Sequence, residues 1–181
     1  MEAFSTAIGS KLYWVQPRTF ERKFELRAEK GLFGMLSFGT PLGTRAAAEV
    51  ATGSWTFKRV GFLNPRVTVR EAGKEADLAV FWPKFWGGGT VEFATGGRFQ
   101  WKSLNFWATS WGFADTREEL VFTMKPGAEK PKLSDLLKTQ AVVEIGTHSY
   151  GLTELPLLLM LGWYLMIMQK DDAATTAAVA S

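Results

Sequence analysis

The run Leu155-Pro156-Leu157-Leu158-Leu159-Met160-Leu161-Gly162-Trp163-Tyr164-Leu165-Met166-Ile167-Met168 constrains the fold more than any other feature of the sequence. It is too long for one strand, and as a helix it would be apolar on every side. Thr153 can serve as an N-cap, Glu154 suits the positive end of a helix, and Pro156 is tolerated in a first turn. The spacing predicts a helix near residues 154–169, stopped by Gln169-Lys170-Asp171-Asp172 and followed by a flexible Ala-rich tail over 173–181. At about 1.5 Å per residue the apolar run spans roughly 21 Å, short of the ~30 Å hydrocarbon core of a bilayer. Such a helix has to be enclosed by protein, and a β-rich chain encloses it best by wrapping strands around it.

The remainder of the chain is β-patterned. Eight Trp and 14 Phe are a heavy load of large, strand-favouring side chains for 181 residues. In Phe20 to Glu29 the charged residues Glu21, Lys23, Glu25, Arg27 and Glu29 fall on one face at period two, leaving Phe20, Phe24, Leu26 and Ala28 on the other. As a helix the same segment would set Glu21 over Glu25 and Lys23 over Arg27, like charges four apart. A hairpin is predicted from Val67 and Val69 through Ala72-Gly73 to Ala76, Leu78 and Val80. A second joins Val91 and Phe93 through Thr95-Gly96-Gly97 to Phe99 and Trp101. Further strands are expected at 11–15, 32–38, 46–60 with a break at Gly53, 104–108, 110–115, 119–125 and 140–145. The segment from Pro126 to Pro131 reads as a surface connection. The fold class is therefore mainly β: a closed antiparallel barrel of about twelve strands around a central hydrophobic carboxy-terminal helix, one domain over residues 1–172.

This order of elements resembles the tubby-like superfamily, which includes the tubby carboxy-terminal domain, the phospholipid scramblases and the LURP-one-related proteins. The resemblance rests on Leu155 to Met168 and on Gly53-Ser54-Trp55-Thr56-Phe57-Lys58-Arg59-Val60-Gly61-Phe62-Leu63, and it extends over nearly the whole chain. It implies a twelve-stranded barrel threaded by its own last helix. In tubby proteins a basic-x-basic pair before a Phe-Leu turn contacts phosphoinositide headgroups. With Phe62-Leu63 as that turn, Arg59 falls at the second basic position, Phe57 at the first, and Lys58 between them. The scramblases' acidic calcium-binding segment has no counterpart in Thr147 to Thr153, which contains no Asp or Glu.

Cysteine is absent and histidine occurs once, so thiolate chemistry and His-based triads have no raw material beyond His148, which sits in the polar stretch Gly146 to Tyr150. Gly87-Gly88-Gly89-Thr90 precedes a strand and lacks the Gly-Lys-Ser/Thr ending of a phosphate loop, so it reads as a turn. No catalytic residue, metal site or cofactor is predicted. The formal charge of +3 permits an anionic partner without demanding one. Trp101, Trp107 and Trp111 lack the basic stripe of a nucleobase-stacking surface, and no nucleic-acid partner is expected. Phe81-Trp82-Pro83-Lys84-Phe85-Trp86 either caps one barrel end or places Trp82, Phe85 and Trp86 at a membrane interface. The functional expectation is a non-enzymatic module binding anionic membrane phospholipids or phosphoinositides through Arg59, helped by Lys58. The alternatives are a barrel carrier for a small apolar ligand and a protein-interaction scaffold. Without a basic n-region and apolar h-region near Met1, no secretory signal is read, and a cytoplasmic protein peripheral to membranes is expected.

Overall fold

The computed structural model describes residues 1–7, 9–29, 31–85, 87–128 and 138–180. Its strands are β1 (Leu12–Val15), β2 (Lys23–Arg27), β3 (Leu32–Phe38), β4 (Ala46–Val50), β5 (Gly53–Val60) and β6 (Arg66–Glu71). They continue as β7 (Ala79–Pro83), β8 (Gly89–Phe93), β9 (Arg98–Ser103), β10 (Trp111–Ala114), β11 (Leu120–Pro126) and β12 (Ala141–Ile145), ahead of helix α1 (Leu155–Ala180). Every strand pairs antiparallel with its chain neighbours, and β12 returns to β1 with Leu12 opposite Val143 and Trp14 opposite Ala141, closing a twelve-stranded barrel. Closure leaves no free sheet edge, which removes the pairing hazard of exposed strands.

Inward-facing residues follow the period-two pattern. Phe24 and Leu26 of β2 are buried, as are Val91, Phe93, Phe99 and Trp101 of the β8–β9 hairpin. In the barrel wall and its loops the structure departs from the sequence reading at several points. In the β6–β7 hairpin the buried partners of Val67 and Val69 are Phe81 and Ala79, one residue out of phase with Ala76, Leu78 and Val80; turning the Phe81 ring inward buries more apolar area than turning Val80. Residues 104–108 form no strand. There the Asn105 side chain accepts from the Thr109 backbone N–H at 2.9 Å and donates to Thr109 Oγ1 at 2.7 Å, closing a loop that turns Phe106 and Trp107 outward. Phe20 lies ahead of β2 and is exposed, because residues 16–22 fold over the buried Gln16 side chain, which donates to the carbonyls of Thr19 and Glu21.

α1 occupies the lumen. Leu158, Leu159, Met160, Leu161 and Tyr164 are fully buried, and the helix is lined by strands all round. Trp163 stacks on Trp14 of β1, with centroids 5.3 Å apart, and meets Phe24 of β2 edge-on; Tyr164 stacks on Phe38 of β3 and tilts against Phe57 of β5. On the opposite side Gly162 lets Phe122, Trp101 and Met124 approach: a Cβ there would lie 3.0 to 3.3 Å from them. The helix does not stop near residue 169 but continues to Ala180, three turns past its buried part. Ala173, Ala174, Ala177 and Ala178 are the strongest helix formers, and Thr175 and Thr176 donate back to the carbonyls of Asp171 and Asp172.

Because successive strands reverse direction, the connections alternate between the two barrel ends. α1 enters where β12 finishes. It leaves through the end formed by residues 16–22, 39–45, 61–65, 84–85, 87–88, 104–110, 127–128 and 138–140, here called the exit end.

Candidate functional site: the cleft beside the helix exit

At the exit end, polar side chains fasten α1 to the barrel rim. Arg22 donates to Asp171 Oδ2 at 2.5 Å and to the carbonyls of Pro41 and Gly43, and its guanidinium lies 4.0 Å from the centre of the Phe38 ring. Arg59 grips Asp172 with both terminal nitrogens, at 2.9 and 2.8 Å. That carboxylate raises the Arg59 pKa above its ordinary value, against the opposing effect of burial. Lys170 reaches Thr139 Oγ1 at 2.7 Å, and the Tyr164 hydroxyl donates to the Thr44 carbonyl at 2.6 Å. Burial pushes the Tyr164 phenol well above its usual pKa, so it remains a donor.

Beside this collar lies a cleft of about 260 Å³ between the ends of β5 and β6, the 84–88 connection and the last buried turns of α1. Arg59, Arg66 and Lys84 supply its positive charge; Phe81, Leu165 and Met168 supply apolar wall. Asp172 is its one carboxylate among the described residues. Neither Arg66 nor Lys84 has a carboxylate partner among the described residues. The lip is shaped by Gly88, whose φ of +72° favours glycine and whose Cβ would sit 2.4 Å from the Trp101 carbonyl oxygen. A larger concavity of about 600 Å³ lies against the outer wall beside β1 and β2, but its Glu25 and Arg27 satisfy each other at 2.6 Å.

Of the sequence-selected residues, Arg59 is at the cleft and Lys58 is not. Neighbours on a strand face opposite ways, so Lys58 projects from the outer wall beside Thr56 and Thr68, and the two do not converge. Phe85 lines the cleft mouth and is exposed. Trp82 is half-exposed, with the Arg66 guanidinium 5.7 Å from its ring centre, while its neighbour Phe81 faces the core. Trp86 lies outside the described residues, as does 129–131 of the predicted surface connection; Pro126 belongs to β11. His148 sits in a 3₁₀ turn with Nε2 3.9 Å from Glu119. Sequence reasoning missed Arg66, Lys84 and the Asp172 partner. The β5–β6 register pairs Arg66 with Val60, on the opposite face from Arg59, so pairing alone does not select it; it reaches the cleft from the rim, where its guanidinium lies near Trp82.

The cleft couples a phosphate-compatible cationic rim to an apolar wall. The Arg59 fork that holds the Asp172 carboxylate has the geometry to take an external anion in its place, exchanging one bidentate partner for another, and Arg66 and Lys84 line the same cleft. Among the described residues no cluster of His, Asp and Glu is arranged to hold a metal ion, and no helix is long and apolar enough to cross a membrane. Compared with protein-family models, curated proteins and solved structures, the chain matches none.

Proposed function

We propose that this protein is a tubby-like, non-enzymatic binding module for the phosphorylated headgroups of anionic membrane lipids, acting peripherally at a membrane surface. The observation that carries this reading is the exit-end cleft, where Arg59, Arg66 and Lys84 stand beside the apolar surfaces of Phe81, Leu165 and Met168. An anionic lipid has the matching two-part chemistry. Filling of the lumen by Leu161, Trp163 and Tyr164 favours an exterior site over a carrier function.

The test is co-sedimentation with phosphatidylcholine vesicles, plain or doped with phosphatidylserine or a phosphoinositide, at low and physiological salt. Binding is expected only to the doped vesicles and should weaken as salt rises. Arg59→Ala and Arg66→Ala should each reduce it about tenfold, as loss of a charge-assisted contact of about 1.4 kcal/mol implies, while Lys58→Ala, on the outer wall, should change it far less. Asp172→Asn removes the competing carboxylate and should tighten binding, whereas Glu154→Gln, the same charge change at the opposite end, should not. Equal sedimentation of all variants, or none on any vesicle, would remove the headgroup reading.

A further inference from the structure

The apolar side chains that the barrel leaves in water are not scattered. Phe20 lies in the 16–22 connection, Leu42 in 39–45, Phe62 and Leu63 in 61–65, and Phe106 and Trp107 in 104–110. Phe85 and Val179 lie at the same end. Trp82 flanks this end on β7, and of the large apolar residues exposed among the described residues only Met1 lies away from it. Phe20, Leu42 and Phe62 are each at least 96% exposed, so these are tips, not partly covered core. At the other end the hairpins turn on Gly73-Lys74-Glu75, Thr95-Gly96 and Thr116-Arg117-Glu118.

Charge follows the same division. Among the described residues, the exit-end connections and helix collar carry Arg18, Arg22, Arg45, Lys84, Lys138 and Lys170 against Glu21, Asp171 and Asp172, and both aspartates are ion-paired to Arg22 and Arg59. Among the described residues, the opposite end carries Glu2, Glu29, Glu75, Asp77, Glu118 and Glu154 as acids beside the loop bases Lys11, Lys74 and Arg117. The molecule is thus polarised along its axis, basic and apolar at one pole, acidic and polar at the other.

The tips are held from beneath. Gln16 ties down the loop of Phe20 and accepts from the Thr139 N–H; Arg22 and Tyr164 bind the backbone of the Leu42 loop; Asn105 pins the Phe106–Trp107 loop. Loops fixed in this way lose little conformational freedom on insertion. The stretch of α1 beyond the collar, 173–180, carries no charged residue that would resist approach to an apolar phase.

We propose that the exit end docks end-on to an anionic bilayer, with Phe20, Leu42, Phe62, Leu63, Phe106 and Trp107 entering the interface and the surrounding basic residues meeting lipid phosphates. This rests on the headgroup reading above and adds an orientation and an inserted surface to it. A bilayer suits the pattern because its charge lies over its apolar region in the same order as the bases and tips of this end. The barrel axis stands along the membrane normal and the acidic end faces water.

The absence of cysteine makes the test site-specific. Leu63→Cys and Trp107→Cys, and as controls Thr95→Cys and Thr116→Cys at the other end, each receive an environment-sensitive fluorophore and are mixed with phosphatidylcholine vesicles containing phosphatidylserine. The dyes at positions 63 and 107 should brighten several-fold and shift to the blue, and those at 95 and 116 should not. Unlabelled Phe106→Ser with Trp107→Ser should bind the same vesicles about a hundredfold more weakly, roughly tenfold per lost insertion, with an unchanged melting temperature. Sedimentation without a change at 63 and 107 overturns end-on docking while leaving headgroup binding intact. Tip-dependent binding to uncharged vesicles supports the docking surface and removes the headgroup reading; no binding to any vesicle removes both. If light scattering shows a dimer that the double serine variant dissociates, a second copy covers the tips and the bilayer proposal falls.

Discussion

Between Leu155 and Met168 α1 has protein on every side, whereas from Ala173 to Val179 the same helix is exposed to solvent. The first half mixes good helix formers, six Leu and three Met, with poorer ones such as Gly162 and Ile167, and has no apolar stripe; packing fixes it as helix, because the barrel accepts only a segment whose backbone bonds are satisfied internally. The second half is exposed to solvent from Ala173 to Val179 and is helical through alanine propensity and continuation of an existing nucleus. Between them Arg22–Asp171 and Arg59–Asp172 mark the boundary between the two environments. Continuity of secondary structure therefore conceals a change in its cause, and the halves should respond differently to substitution.

The largest effect is expected in the lumen. Deleting the chain from Glu154 onward should abolish the cooperative unfolding transition, and Trp163→Ala, removing a ring stacked on Trp14 and edge-on to Phe24, should cost about 3 to 5 kcal/mol in urea denaturation. Gly162→Leu presses into Phe122, Trp101 and Met124 and should cost about 1 to 3 kcal/mol despite its better helix propensity. At the collar, Arg22→Ala loses two carbonyl contacts and a half-buried ion pair, and should cost about 1 to 2 kcal/mol. Arg59→Ala, whose pair is more exposed, should cost under about 1 kcal/mol. The smallest change belongs beyond the collar. Ala177→Gly should lower helicity by circular dichroism while shifting global stability by no more than about 1 kcal/mol. If Ala177→Gly destabilised the fold as much as Trp163→Ala, the division of α1 into a packed and a propensity-driven half would be wrong.

The barrel and its plug were legible because both are written in periodicity. Val91, Phe93, Phe99 and Trp101 announce an inward face, and Leu155 to Met168 announces a buried helix, without reference to any distant residue. The misreadings arise where a local pattern competes with a tertiary one. Phe106-Trp107-Ala108 has strand composition, but Asn105 closes a loop across it; Ala76, Leu78 and Val80 alternate correctly in the wrong phase, which only the partner strand fixes. The candidate site was less legible still. Arg59 and Lys58 are neighbours in sequence and diverge in space, while Arg59 and Asp172 are 113 positions apart and meet through the threaded helix. Polarity of the two ends is likewise a property of the closed meander, since residues from Phe20 to Trp107 share a pole only once strand direction is known.

The lumen is filled by the element that follows all twelve strands. On a ribosome each hairpin can form soon after it emerges, because its contacts are local, but closure of β12 onto β1 and seating of the helix wait for the distal part of the chain. Until then Trp14, Phe24, Phe57 and Trp101 line an unfilled interior, an adhesive surface on a nascent protein. Folding time in the cell should thus be governed by arrival of residues 155–168 rather than by strand pairing, and ribosome-bound chains stalled before that segment clears the exit tunnel should be the species that chaperones hold.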